Sequence, residues 1–149
     1  LVPHINNSNI LGSSLQIPYF HVISDNKDLT FKPTFFANDI LMFQNEYRQQ
    51  NKNSFLITDF NITEGYKSKF TSKKNTLIHL FAKYDADLDF ENFIESSLNI
   101  SVQKVNNDTY LKIFDTNIVD TELKPENLNT LISDIELNLE HKKFALSIS

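Results

Sequence analysis

The sequence predicts an all-β chain of antiparallel strands, and three observations carry that expectation. Apolar and polar residues alternate with a period of two through most of the chain, where a helix would repeat every 3.6 residues. Short polar connectors, such as His141 to Lys143, separate the alternating runs as hairpin turns do. The 149 residues are enough for one domain and too few for two ordinary ones.

Taken in order, strands are expected near 15–23, 28–36, 40–49, 54–63, 76–89, 97–105, 131–140 and 143–149. Leu29, Phe31, Pro33 and Phe35 alternate with Thr30, Lys32 and Thr34, and Leu41, Phe43 and Tyr47 oppose Gln44, Glu46 and Arg48. Leu56, Thr58, Phe60 and Ile62 share a face against Asp59 and Asn61. The longest alternation places Ile78, Leu80, Ala82, Tyr84, Ala86 and Leu88 opposite His79, Phe81, Lys83, Asp85, Asp87 and Asp89. That run exceeds the usual strand of about 5–6 residues and matches the ~9–11 that cross a bilayer when tilted. In Leu131 to His141 the odd positions are mostly apolar and the even ones mostly polar, and Phe144, Leu146 and Ile148 continue after the turn. Polar connectors are expected at 24–27, 50–53, 64–75 and 115–130, the third of them basic with Lys67, Lys69, Lys73 and Lys74. Asparagine, tolerant of left-handed backbone, is expected to serve turns that two glycines cannot.

A formal charge of −5 and a pI near 5.3 leave no basic stripe, which argues against nucleic acid as a partner. No cysteine is present, so disulfide, thiol and Cys-zinc chemistry are excluded within the segment. A mean hydropathy of −0.32 without a long apolar run removes a transmembrane helix, but an average cannot see alternation of the kind a membrane barrel uses. His4, His21, His79 and His141 sit in four separate segments without metal-ligand spacing. With Gly12 and Gly65 alone, no phosphate-cradling loop can form. The run Asp85, Asp87, Asp89, Glu91 could collect a divalent cation from one strand face, although a hydrated polar face is the simpler reading. The expectation is therefore of no catalytic residues, no metal and no cofactor.

Pro18 and Pro33 each interrupt a convincing strand. Proline donates no ladder hydrogen bond and belongs at an edge or bulge, so two in successive strands predict a weakly zipped sheet margin. A soluble β-sandwich and an outer-membrane barrel both satisfy these patterns, and the commoner soluble class stands slightly ahead on periodicity alone.

A resemblance separates them. Ile17-Pro18-Tyr19-Phe20-His21 followed by Asp28-Leu29-Thr30-Phe31-Lys32-Pro33 resembles the Pro-Tyr-Tyr…Asp-x-Thr-x-x-Pro signature of the LptD family of lipopolysaccharide-assembly proteins. Asn45-Glu46-Tyr47-Arg48 resembles that family's Glu-Phe-Arg-Tyr segment, and Lys104 to Phe114, with Asp108, Tyr110 and Phe114, is similar to its Ser-Asp-Asp-x-Tyr-Leu-x-x-Phe motif. Leu1-Val2-Pro3 with Gly12 resembles the approach to its first barrel strand. Phe20 stands at the second aromatic of the first motif, His21 at a usual Trp, and Asn106-Asn107 replaces Ser-Asp. The resemblance implies antiparallel strands forming the first part of a transmembrane β-barrel, a fragment of a larger chain. Residues 1–14 would be the approach from a periplasmic jelly roll, and 15–149 the first strands and loops of the barrel. It further implies a cell outer-membrane location, lipopolysaccharide as cargo, and a lateral gate at Pro18 and Pro33. An LptE-like plug lipoprotein, an LptA-like periplasmic bridge and outer-membrane lipids would be the partners. His79, Lys83, Asp85 and Asp87 would face the lumen. A porin-like channel and a soluble all-β binding domain remain the alternatives.

Overall fold

A computed structural model describes residues 2–68, 73–118 and 122–149. Lys69, one of the basic residues expected in a loop, and Leu1 lie outside them. The strands are β1 (His4–Ser8), β2 (Gly12–Gln16), β3 (Tyr19–Ser24), β4 (Lys27–Phe36), β5 (Ile40–Gln50), β6 (Ser54–Tyr66), β7 (Asn75–Asp87), β8 (Glu95–Val105), β9 (Asp134–His141) and β10 (Phe144–Ile148). One short helix, α1 (Tyr110–Phe114), lies between β8 and β9. The strands form one antiparallel sheet in the order β1-β2-β4-β5-β6-β7-β8-β9-β10, with β3 also paired to β4. Among the described residues β10 pairs only with β9, so the sheet is open. The all-β expectation holds, and the observed strand bounds mostly fall within a few residues of the expected ones.

β2 and β3 are two halves of one strand. Ser14 to Gln16 oppose Phe36 to Thr34, and Tyr19 to His21 oppose Phe31 to Leu29, in a register that runs unbroken past Pro18. A bulge interrupts it only after Val22. β1, in the stretch expected to be a mere approach, forms a strand on the outer edge of β2, with His4 opposite Gln16 and Asn6 opposite Ser14. Its sequence, His-Ile-Asn-Asn-Ser, carries almost no alternation, so periodicity could not announce it.

β6 and β7 are thirteen residues long and β5 and β8 eleven, lengths sufficient to cross a bilayer at a tilt. β6 runs past its expected end because Glu64 to Tyr66 belong to it, with a register shift between Thr63 and Tyr66. Gly65 sits in that irregularity at φ +83°, and a Cβ there would lie 2.3 Å from the Asp39 carbonyl oxygen. The non-glycine left-handed positions among the described residues are Asp39 and Asp89, so aspartate rather than asparagine serves those turns. Aspartate shares asparagine's short polar side chain, which is what makes that conformation tolerable.

The two ends of the sheet differ. Asp25-Asn26, Asn51 to Asn53 and Lys142-Lys143 are tight turns at one end, while the connections 67–74 and 106–133 lie at the other. The second of these is not the solvated polar connector its composition suggests. Tyr110, Leu111, Phe114, Ile118 and Leu123 are buried in one cluster with Leu11, Phe36, Ile40, Met42, Ile57, Leu77 and Phe81. Residues 106–118 and 122–131 thus fold back over one face of the sheet. The apolar residues at 118, 123, 128 and 131 are too widely spaced to read as an element, yet each finds the core or its margin.

Candidate functional site

The two faces of the sheet differ: one is apolar and open, and the covered one combines the core residues Phe36, Ile40, Met42, Ile57, Leu77 and Phe81 with a set of polar and charged side chains. The face under segment 106–131 presents Thr30, Lys32 and Thr34 from β4, Gln44, Glu46 and Arg48 from β5, Asp59, Asn61 and Thr63 from β6, and His79, Lys83 and Asp85 from β7. Among the described residues ten polar or charged side chains are buried, most of them on this face. The other face carries Leu29, Phe31, Pro33 and Phe35, then Leu41, Phe43 and Tyr47, then Leu56, Phe60 and Ile62, then Ile78, Leu80 and Tyr84. It continues through Leu98 and Ile100 to Ile135, Leu137, Leu146 and Ile148. Nothing among the described residues covers it: Phe35 is 45% exposed, Leu80 39% and Ile135 61%. Residues directly opposite share a face in the observed registers. The uncovered apolar face departs from a soluble sandwich, whose outward faces meet water with polar residues.

The covered face is layered. Tyr110 reaches down from α1, accepts a hydrogen bond from Asn61 Nδ2 and contacts His79 Nδ1 at 2.8 Å. Asn61 also donates to Thr63 Oγ1 at 2.8 Å, and Gln44 Nε2 donates to both oxygens of Asp59 at 3.2 and 2.9 Å. His79 Nε2 lies 3.2 Å from Asp59 Oδ1 but off the line of a hydrogen bond, so that contact is electrostatic. The His79 ring stacks on Phe81 at 4.3 Å, with Tyr110 edge-on above it at 5.2 Å. An aspartate, histidine and hydroxyl in line have the connectivity of a charge relay. Here each is sealed, with Asp59 and His79 1% exposed and Tyr110 0%. Burial, the largest cause, pushes the Tyr110 phenol's pKa up, away from what a nucleophile needs. The group works as a latch between α1 and the sheet.

Toward the tight-turn end the same face becomes charged. Arg48 Nε and Nη2 grip Asp28 at 2.9 and 3.2 Å, and Glu46 stands 3.8 Å from Arg48 and 3.5 Å from Lys32. Thr30 is directly opposite Glu46. Four residues of the family resemblance, Asp28, Thr30, Glu46 and Arg48, therefore meet across β4 and β5. Tyr110 and Phe114 meet in α1 at 4.9 Å, while Asp108 is exposed beside them. Asn106, in a motif position, spends its amide on Ile78 N and Thr76 O, extending the β7–β8 ladder with a side chain. Asn107 accepts from Thr109 N and Oγ1, shaping the turn into α1.

Of the residues expected to face a lumen, His79 is sealed under Tyr110, Lys83 bridges Asp85 at 3.3 Å and Glu122 at 3.0 Å, and Asp87 is exposed at the strand end. The acidic run does not converge: among the described residues no group of three or more His, Asp or Glu side chains is placed to hold a metal ion. Gln44, Asp59 and Asn61 were legible as polar-face residues, but their role in anchoring α1 was not.

The prolines occupy different places. Ser13 O accepts from Ala37 N at 2.9 Å and Ile17 N donates to Pro33 O at 3.0 Å, so odd residues of β2 and β3 form the hydrogen-bonded pairs with β4. Pro18 therefore lacks its N–H on the outer edge, where an edge strand tolerates it. Pro33 stands one strand further in, and its missing N–H is the one that would have answered the Ile17 carbonyl. Tyr19 shares the edge strand, 61% exposed and stacked on His21 at 6.3 Å. All six residues of β3 are exposed.

Among the described residues no helix is long and apolar enough to cross a membrane, which says nothing of crossing by strands. No family model and no solved structure matches the chain. It is similar to the LPS-assembly protein LptD of Legionella pneumophila strains Lens, Paris and Philadelphia 1, at 26% identity over 139 residues. The match takes in 79% of this chain and spans only 15% of the length of those relatives. An all-β sheet with an apolar open face, and this likeness, together support a distant LptD-like relationship.

Proposed function

We propose that this chain supplies strands of an outer-membrane β-barrel that carries lipopolysaccharide, with β3 at a lateral seam. The observation that carries the reading is the open face: an uncovered apolar surface that runs across the seven strands β4 to β10, backed by a face of mixed polar and apolar residues that an internal segment covers. The LptD likeness gives that architecture its cargo. In this reading the apolar face meets lipid, the layer of Lys32, Glu46, Arg48, Lys83 and Asp85 borders the lumen, and no covalent chemistry is performed. An LptE-like lipoprotein would fill the remaining lumen, and an LptA-like bridge would deliver cargo through an upstream jelly roll. The ladder bond missing at Pro33, together with the donor that Pro18 withholds from the outer edge, would lower the cost of releasing acyl chains sideways.

Cysteine labelling in isolated outer membranes tests the reading, because the segment has no cysteine of its own. In the complete protein, Lys83→Cys should react with a membrane-impermeant maleimide, while Leu80→Cys, on the opposite face of β7, should stay protected until detergent is added. Equal labelling at both positions would return the chain to the soluble class. Valine at both prolines should slow the appearance of lipopolysaccharide at the cell surface, and unchanged export would remove the gating role.

A further inference from the structure

A cavity of about 420 Å³ opens on the covered face beside the seam, lined by His4 and Asn6 of β1, Ser14 and Gln16 of β2, Lys32 and Thr34 of β4, and Thr116, Asn117 and Ile118 of the covering segment. Its size lies in the range of small-ligand sites. We infer that this cavity is a head-group site that holds an anionic sugar, phosphorylated or carboxylated, on the inner side of the seam. The inference rests on the barrel reading above and deepens it by naming what the seam's inner wall recognises.

Four features favour that ligand. The lining offers amides at Asn6, Gln16 and Asn117 and hydroxyls at Ser14, Thr34 and Thr116, which both donate and accept as sugar hydroxyls require. Among the described residues that line it there is no carboxylate and one ammonium, Lys32, whose side chain is only 13% exposed. The nearest acid to that ammonium is Glu46 at 3.5 Å, long for a charged pair, so Lys32 keeps donors for an anion. The remaining wall is β1, whose pairing with β2 turns His4 and Asn6 to the same side as Ser14 and Gln16. A second cavity of about 430 Å³ near the tight turns makes the contrast, since Asp25 and Asp28 line it alongside Lys27 and Arg48. Lys32 and Thr34 flank Pro33, and Gln16 lies two residues before Pro18, so a sugar held here would leave its attached chains at the weakened pairing.

Photo-cross-linking of the complete protein in detergent micelles, with purified lipopolysaccharide as probe, tests the site. A photoreactive p-benzoylphenylalanine replaces Thr116, in the covering segment, in one variant and Leu15, on the open face of β2, in another. Cross-linking at Thr116 should fall about tenfold or more with Lys32→Ala, as loss of a charge-assisted hydrogen bond implies, and be retained with Lys32→Arg. Lipopolysaccharide stripped of phosphate should reproduce the loss if the ligand group is phosphate and leave cross-linking intact if it is a carboxylated sugar. Cross-linking at Leu15 but none at Thr116, or no response to Lys32→Ala, overturns the head-group site and leaves the seam standing. No cross-link at either position overturns both.

Discussion

Replacing Pro33 with valine gives β4 back an N–H aimed at the Ile17 carbonyl, 3.0 Å across a pair already bonded in the other direction. One net ladder bond is worth about 0.5–1.5 kcal/mol, which is roughly a 2- to 12-fold shift in the equilibrium for opening that pair. Pro18→Val differs. Its restored N–H points to the outer edge, where β1 has already ended at His4 opposite Gln16, so it adds nothing to the pairing of β3 with β4. Both substitutions loosen the unfolded chain by a similar amount, and the contrast between them isolates the bond. Amide hydrogen exchange in detergent reads the difference: protection of Ile17, Tyr19 and His21 should rise with Pro33→Val and stay unchanged with Pro18→Val. Equal responses to the two substitutions would refute the assignment of which proline faces which neighbour.

Gly65→Ala forces a Cβ against the Asp39 carbonyl at a positive φ and should cost at least about 1–3 kcal/mol, read as a lower Tm. Tyr110→Phe leaves Asn61 and His79 without their shared partner; a cost of about 1–3 kcal/mol should appear as faster tryptic cleavage at Lys112. The raised phenol also sets a pH dependence. Above its ordinary pKa of about 10 the unfolded chain loses a proton that the folded one keeps. Stability conferred by that neutral phenol is present below about pH 10 and declines as pH rises toward the folded value. Ultraviolet titration should find one of the five tyrosines ionising after the rest, and Tyr110→Phe should remove that last step. Arg48→Lys, at a side chain 43% exposed, should cost less than about 1 kcal/mol despite losing a two-pronged grip on Asp28, measured by denaturant midpoint.

What the sequence disclosed follows from which signals are local. Alternation fixes the face of every residue in a strand, so the polar layer of Gln44, Glu46, Arg48, Asp59, Asn61 and His79 could be sorted from the apolar one before any coordinates. Register is not local, and the meeting of Asp28 with Arg48 and of Thr30 with Glu46 depends on it. Residues 115–130 read as a polar connector because most of them are polar; Ile118 and Leu123, buried in the core beside Tyr110, Leu111 and Phe114, hold the segment against the sheet. β1 was missed for the opposite reason, since an edge strand with a polar face on one side and only Ile5 for contrast on the other shows no pattern. The cavity at Lys32 needed all three: the face from alternation, the wall from β1, and the cover from the returning segment.

The two prolines weaken opposite sides of one strand, and that changes what can move. A seam implies a single line along which two strands part. Here Pro18 removes a donor from the outer side of the β2–β3 strand and Pro33 an answering donor from the side facing β4, within one residue of each other along that strand. The tip of the hairpin is tied down, because Asn26 O accepts from Gln50 N at 2.9 Å and Asn26 Nδ2 donates to Asn51 at 3.1 Å. The base is tied as well, through Ala37 N to Ser13 O and Asn38 Nδ2 to Leu11 O. Between these anchors the Ile17 carbonyl lacks its answering donor on β4 and the outer edge of residues 17–21 is unpaired, while Tyr19 to His21 keep their register with β4. The weak unit is the middle of a strand, and displacing it widens the sheet beside the Lys32 cavity without unpairing either end. A cross-link across the middle, joining cysteines at Phe20 and Thr30, which face one another in the observed register, should therefore block export more than one joining Ser14 to Phe36. Equal block at both would mean that the strand parts as a whole.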